Sequence, residues 1–177
     1  MVVIGIGNSD RADDGIGPLV AGRVRGRCDG GIRVLTRSGD ALALIEDWAR
    51  AQAAVLIDAA APAGQPGRIH RIDLASEELP RNLSLSSTHA MGIAEATGLA
   101  RELGRLPRRT ILFAVEGACF DPGGAMSAEV AAAGDELVGR VISEAHRLRQ
   151  APSPARRRPR SPTRTTVADR GPRSARS

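Results

Sequence analysis

The sequence contains no lysine and no tyrosine, and its only aromatic residues are Trp48, Phe113 and Phe120. All 25 basic side chains are therefore arginines. With so few aromatic residues, a core has to be built from Ala, Val, Leu and Ile, and the hydrophobic content of 42% is enough for one. A length of 177 residues suits a single domain.

Cysteine pairs and long apolar runs are also missing. Cys28 and Cys119 lie far apart and form no CxxC motif, so neither a thiolate-ligated zinc site nor a redox dithiol is indicated. No apolar run approaches the length of a membrane span, and apolar core residues already begin at Val2, so we expect no signal peptide. We therefore expect a soluble, cytoplasmic protein without membrane contacts, and a monomer as the simplest state.

The net positive charge of the chain comes from the last 27 residues. The net charge is +5, but residues 151–177 hold eight arginines and one aspartate among Pro, Ser and Thr, so residues 1–150 are slightly acidic. A nucleic-acid-binding domain needs a basic face on its folded part, so no nucleic-acid partner is expected. Residues 151–177 cannot bury a core and are predicted to be a disordered tail after a folded domain of residues 1–150. The tail is either a solvated extension or a weak electrostatic tether to an acidic partner.

Strand and helix patterns alternate along residues 1–150. Short apolar or alternating runs predict strands over 2–6, 32–36, 53–57, 68–74 and 110–115. Helical periodicity predicts helices over 16–27, 41–52, 89–103 and 128–149, with Asp40 and Ser127 as N-caps. This alternation predicts an α/β fold, a three-layer αβα sandwich around a mostly parallel, twisted sheet, with the third strand near its centre.

The glycine-rich turn after the first strand is the most informative segment. Such turns usually cradle phosphate groups, but this one carries Asp10, Asp13 and Asp14. Asp10 occupies the third position of the dinucleotide-binding fingerprint, where a carboxylate would repel the pyrophosphate. A cation or a polar peptide is therefore favoured here, and nucleotide binding is the weaker alternative.

Three groups capable of binding a metal follow strand ends. Asp13 and Asp14 follow the first strand, Asp58 follows the third, and His89 opens a helix after the fourth. In open α/β sheets, ligands bind at the carboxyl ends of the strands, so these side chains can converge there. Carboxylates with an imidazole suit nickel, zinc or iron, and three protein ligands leave room for water or substrate.

Each of these residues also has a purely structural explanation. Asp14 can belong to an Asx turn, and Asp58 can cap the turn after its strand. His89 can be an exposed residue in the first turn of a helix. The residues alone leave these alternatives open.

Two further residues, Glu116 and Gly39, belong to the same edge, and two further histidines lie elsewhere. Glu116 ends the fifth strand at that edge, either as part of the site or as an ordinary loop carboxylate. Gly39 either leaves room for a substrate backbone or is an ordinary turn glycine. His70, in an alternating strand, and His146, on the last helix, are predicted to be solvated surface residues.

The first turn resembles the signature of the hydrogenase maturation endopeptidases, the processing proteases of nickel–iron hydrogenases. Its sequence is Gly5-Ile-Gly-Asn-Ser-Asp-Arg-Ala-Asp-Asp-Gly-Ile-Gly17. Three shorter segments resemble the family's later motifs in the expected order: Val55–Ala59, Ser87–Gly92, and Ala114–Gly117 with Gly124–Val130. The resemblance extends over about residues 2–145.

The resemblance implies an activity and a partner. Members of this family, classed as aspartic-type endopeptidases, remove a C-terminal peptide from a hydrogenase large-subunit precursor after nickel insertion. It implies that Asp14, Asp58 and His89 are both the metal-contacting and the catalytic residues, and that nickel arrives with the substrate. We expect an open, acidic, water-accessible site. Either the metal activates water or the carbonyl, or a carboxylate acts as general base; a non-enzymatic checkpoint for nickel loading is the alternative function.

Overall fold

A five-stranded β-sheet runs through the middle of the protein in the computed structural model, which describes residues 1–28, 30–80, 83 and 90–150. The strands are β1 (Val2–Ile6), β2 (Arg33–Arg37), β3 (Ala53–Ala60), β4 (Ile69–Asp73) and β5 (Arg109–Glu116). Their order is β2-β1-β3-β5-β4. Strands β1, β2, β3 and β5 are parallel, and β4 joins β5 antiparallel at one edge. The predicted mostly parallel sheet with a central β3 is confirmed.

Helices cover both faces of this sheet. They are α1 (Ile16–Arg25), α2 (Ala41–Trp48), α3 (Ala90–Glu102) and α4 (Ala128–Gln150). Helices α1 and α4 pack on one face, and α2 and α3 pack on the other. No helix in the described part of the chain is both long and apolar enough to cross a membrane. The predicted three-layer αβα sandwich is therefore confirmed.

The core consists of two clusters of aliphatic side chains, one on each face of the sheet. Every residue of β1 and β3 is buried. Because side chains alternate along a strand, Leu56 and Ala60 of β3 face α2 and α3, whereas Val55 and Ile57 face α1 and α4. Asp58 is two residues after Leu56 in the same strand and therefore lies on the same face, toward α2 and α3.

Several element boundaries differ from the predictions. A 3₁₀ turn, Ala12–Gly15, precedes α1 and was not predicted. Strand β3 continues to Ala60 because it pairs with β5 as far as Glu116, so Asp58 lies within the strand and not just after it. Helix α2 ends at Trp48, well before the predicted residue 52. The N-cap at Asp40 is confirmed, since its carboxylate accepts from the N–H of Ala43 at 2.8 Å.

Glycine lets α1 lie directly against the end of β1 and the middle of β3. A Cβ atom on Gly17 would meet the carbonyl oxygen of Ile6 and come within 2.7 Å of the carbonyl oxygen of Ile57. Only a residue without a side chain allows this approach. The contact fixes the start of α1, and the 3₁₀ turn before it, beside the strand that carries Asp58.

Candidate functional site

Asp14 lies in the 3₁₀ turn that follows β1 and is fully buried. Its Oδ2 accepts a hydrogen bond from the backbone N–H of Asn8 at 2.9 Å. Gly7, at φ 136°, lets the turn fold back so that Asp14 reaches Asn8, because a Cβ atom on residue 7 would collide with the carbonyl oxygen of Asp14. Ala12 has a left-handed φ of 44°, which a non-glycine residue adopts at an energetic cost. The turn is thus a tightly constrained loop that aims its carboxylates inward.

Asp58 lies where β1 stops and β3 continues. The last β1–β3 pair joins Gly5 to Ile57, so Asp58 is the first residue of β3 beyond this ladder. Its side chain is fully buried, and its Oδ1 accepts from the N–H of Ala59 at 2.8 Å. The 3₁₀ turn packs against β3. The structure therefore brings Asp14 and Asp58 to the same edge of the sheet, as the strand-end argument predicts.

Asp13 performs a different task from its neighbour. Its Oδ2 accepts from the N–H groups of Ala118 (2.7 Å) and Cys119 (3.0 Å) and from the hydroxyl of Ser127 (3.0 Å), and its Oδ1 accepts from the N–H of Ser127 (2.6 Å). Burial raises the pKa of Asp13, but these four hydrogen bonds outweigh it and hold the pKa below its usual 3.8. Asp13 is an ionised anchor that ties the β5–α4 loop to the turn bearing Asp14.

The anchoring role of Asp13 was not predicted. The sequence feature that could have indicated this role is the loop after β5, because its N–H groups require an acceptor when they are buried. Ser127 directly precedes α4, as predicted, and its hydroxyl is one of the groups that bind Asp13.

Glu116 and Gly39 also have structural contacts. Glu116 is buried, and its Oε1 accepts from the N–H groups of Ala63 (2.6 Å) and Gln65 (2.5 Å), so it organises the loop between β3 and β4. Gly39 has a φ of 93°, and its carbonyl oxygen lies where a Cβ atom on Gly92 would be. This contact seats the first turn of α3 on the turn after β2.

His89 lies outside the described residues, as do Ser87 and Thr88. Helix α3, which begins one residue later, packs on the face of the sheet to which Asp58 belongs. Within residues 1–28, 30–80, 83 and 90–150, no group of three or more His, Cys, Asp or Glu side chains is arranged to hold a metal ion. In the described structure, the site therefore consists of two carboxylates.

Two expectations about exposure are wrong. Asp14 and Asp58 have 0% exposed surface, so the two carboxylates are enclosed and not open to water. His70 is half-buried and not a solvated surface residue, because it lines a cavity of about 580 Å³ at the edge of the sheet. His146 on α4 is half-buried as well.

Comparison with known proteins gives a consistent result. A family model described as HycI, hydrogenase maturation protease, matches residues 30–144. The match includes Asp58 and His89 and begins after Asp14. Comparison with curated protein sequences finds no match.

The fold is similar to that of several solved structures. Hydrogenase maturating endopeptidase HybD from E. coli has a TM-score of 0.68 and 18% identity, over 82% of this chain and 91% of that one. The [NiFe] hydrogenase maturation protease HybD from Thermococcus kodakarensis has a TM-score of 0.63 and 23% identity, over 81% of this chain and 97% of that one. Endopeptidase HycI from Escherichia coli has a TM-score of 0.60 and 23% identity, over 80% of this chain and 88% of that one. At these identities, the similarity establishes the shared fold.

Proposed function

The chain belongs to the hydrogenase maturation protease family, and we propose that Asp14, Asp58 and His89 form its catalytic and nickel-recognising site. It is an endopeptidase that processes the C-terminus of a hydrogenase large subunit. The substrate is the large-subunit precursor, and the nickel is part of that substrate.

The burial of two carboxylates at one edge of the sheet carries this proposal. Asp14 and Asp58 come from different elements, and each accepts a backbone hydrogen bond that fixes its orientation. When they are ionised, two carboxylates buried at one edge of the sheet create a negative potential, which favours a cation. A nickel ion presented by a partner protein fits this potential better than an anionic nucleotide does.

The cleavage needs a water molecule activated near the scissile carbonyl. Asp14 or Asp58 can accept the proton of the attacking water as general base. Alternatively, both carboxylates and His89 bind the nickel of the precursor, which polarises the carbonyl or acidifies the water. In both routes the precursor has to reach enclosed side chains, so productive binding requires a local rearrangement that uncovers Asp14 and Asp58.

The deciding experiment is a cleavage assay read by intact mass spectrometry. The protein is mixed with the large-subunit precursor from the same genome, with and without nickel loading. Loss of a C-terminal peptide from the nickel-loaded precursor alone supports both the protease and its check of nickel loading. Binding without cleavage in either state supports the non-enzymatic checkpoint. Absence of both contradicts the choice of partner.

We also propose that residues 151–177 are dispensable for cleavage. Helix α4 completes the described fold at Gln150, and the Arg-, Pro- and Ser-rich composition of the remaining residues contributes little apolar surface to a core. A chain truncated after Gln150 should cleave saturating precursor at the rate of the full chain. A large loss of rate would show that the basic tail takes part in substrate binding.

A further inference from the structure

The outer edge of β4 has main-chain groups directed away from the sheet. The carbonyl of Arg68 accepts from the N–H of Glu116 at 2.9 Å, and the N–H of Leu74 donates to the carbonyl of Thr110 at 2.8 Å. Because inward and outward groups alternate in an antiparallel pair, the even-numbered residues of β4 bond to β5. The N–H and C=O groups of Ile69 and Arg71 therefore point outward. No described strand pairs with this edge.

This edge opens into a cavity of about 580 Å³. Four consecutive strand residues, 69–72, line this cavity, together with Glu77, Pro80 and Leu83 from the segment that follows β4. Its volume lies within the range typical of ligand sites. A sheet edge beside a cavity is the arrangement by which many domains add an extended peptide as an extra strand.

The cavity is aligned with the candidate site across the sheet. Asp58 is paired with Ala114 of β5, and Ala114 is paired with His70 of β4. All three share one face of the sheet. With strands about 4.8 Å apart, the backbone of His70 lies about 10 Å from that of Asp58. A strand added at the outer edge of β4 lies one spacing farther, about 14 Å from Asp58, and an extended peptide spans this distance in about four to five residues.

We propose that the outer edge of β4 binds an extended segment of the large-subunit precursor, a few residues from the scissile bond, by main-chain hydrogen bonds. This inference rests on the proposed function. The segment lies beside the reacting groups and not on them, so the edge contributes to substrate binding and not to the chemical step. Hydrogen bonds to the main chain of the peptide also hold it extended for cleavage. Its side chains lie next to His70 and Arg68.

Two variants at one position test the edge. Arg71→Pro removes the outward N–H, and proline is tolerated at the free side of an edge strand. Arg71→Ala keeps the N–H, and both variants lose the ion pair between Arg71 and Glu144. We expect KM for the nickel-loaded precursor to be about ten-fold higher in Arg71→Pro than in Arg71→Ala, with equal kcat, because ground-state and transition-state binding are lost equally. Equal KM values in two folded variants would overturn the proposal.

Hydrogen exchange of the wild-type protein provides a test that does not depend on the folding of a variant. The outward N–H groups of Ile69 and Arg71 should exchange rapidly in the free protein and slow by at least about ten-fold with the precursor. Slow exchange without precursor would overturn the proposal, because the edge of β4 would already be covered. Exchange that slows further with protein concentration would identify a second copy as the cover, and exchange independent of concentration would identify the chain's own residues. A wild type that never cleaves contradicts the proposed function, whereas cleavage with unchanged exchange contradicts only this inference.

Discussion

Asp13 and Ser127 are 114 residues apart in the sequence and are joined by two hydrogen bonds, from the backbone N–H and the hydroxyl of Ser127 to the two oxygens of the Asp13 carboxylate. With the N–H groups of Ala118 and Cys119, they give this carboxylate four donors. Asp13 is adjacent to Asp14, so the same contacts that close the β5–α4 loop also hold the turn that positions the proposed catalytic carboxylate.

Replacement of Asp13 tests this anchor. Asp13→Asn loses the charge and places an NH₂ group among N–H donors, so we expect a loss of about 2–3 kcal/mol in the free energy of unfolding. Ser127→Ala removes a single donor and should cost about 1 kcal/mol. Urea titration of both variants checks the ranking. A loss as small for Asp13→Asn as for Ser127→Ala would contradict the anchoring role.

The lowered pKa of Asp13 predicts how this contribution depends on pH. Because the folded pKa lies below the unfolded value of about 3.8, the ionised anchor stabilises the fold fully above that value and loses its effect as the pH falls through the folded pKa. The difference in unfolding free energy between wild type and Asp13→Asn should be constant from about pH 5 to 8 and shrink below about pH 3.8. A difference that grows on acidification would contradict the assigned direction.

The carboxyl-edge location of Asp14 and Asp58 could be predicted because an apolar run ends near each residue and parallel strands share their carboxyl edge. The role of Asp13 could not, since its partners lie more than 100 residues away and are mostly backbone groups. The antiparallel direction of β4 could not be predicted either, because side-chain alternation is the same in both strand directions. The complete burial of both carboxylates depends on tertiary packing, which no local pattern encodes.

Close helix–sheet packing at Gly17 provides a prediction with a control on the same helix. Gly17→Ala would push α1 away from the carbonyl oxygens of Ile6 and Ile57, so we expect a loss of about 2 kcal/mol or more, as for overpacked cores. Gly22 has open space around its position. Gly22→Ala should therefore gain about 0.5–1 kcal/mol from helix propensity. Thermal unfolding of both variants measures the difference, and equal midpoints would contradict the close packing.

Neutralising either proposed catalytic carboxylate should separate activity from folding. Asparagine keeps an oxygen that can accept from the N–H of Asn8 or Ala59, so Asp14→Asn and Asp58→Asn should fold with wild-type circular dichroism. Both should lose processing of the nickel-loaded precursor, by about 10²-fold or more, because the general base or metal ligand is gone. Normal cleavage by both folded variants would reject the site assignment.

The contact between α3 and the turn after β2 should matter for activity if His89 is a site residue. Gly92→Ala would force the start of α3 away from the carbonyl oxygen of Gly39, and this displacement lies three residues from His89. Gly98→Ala, on the same helix with open space around it, is the matched control and should gain stability by about 0.5–1 kcal/mol. We expect cleavage by Gly92→Ala to fall by about ten-fold or more at a temperature where it remains folded, because small misplacements of catalytic groups are costly. If both glycine variants cleave the precursor at the same rate, the position of α3 does not control the reaction, and the proposed role of His89 loses its structural support.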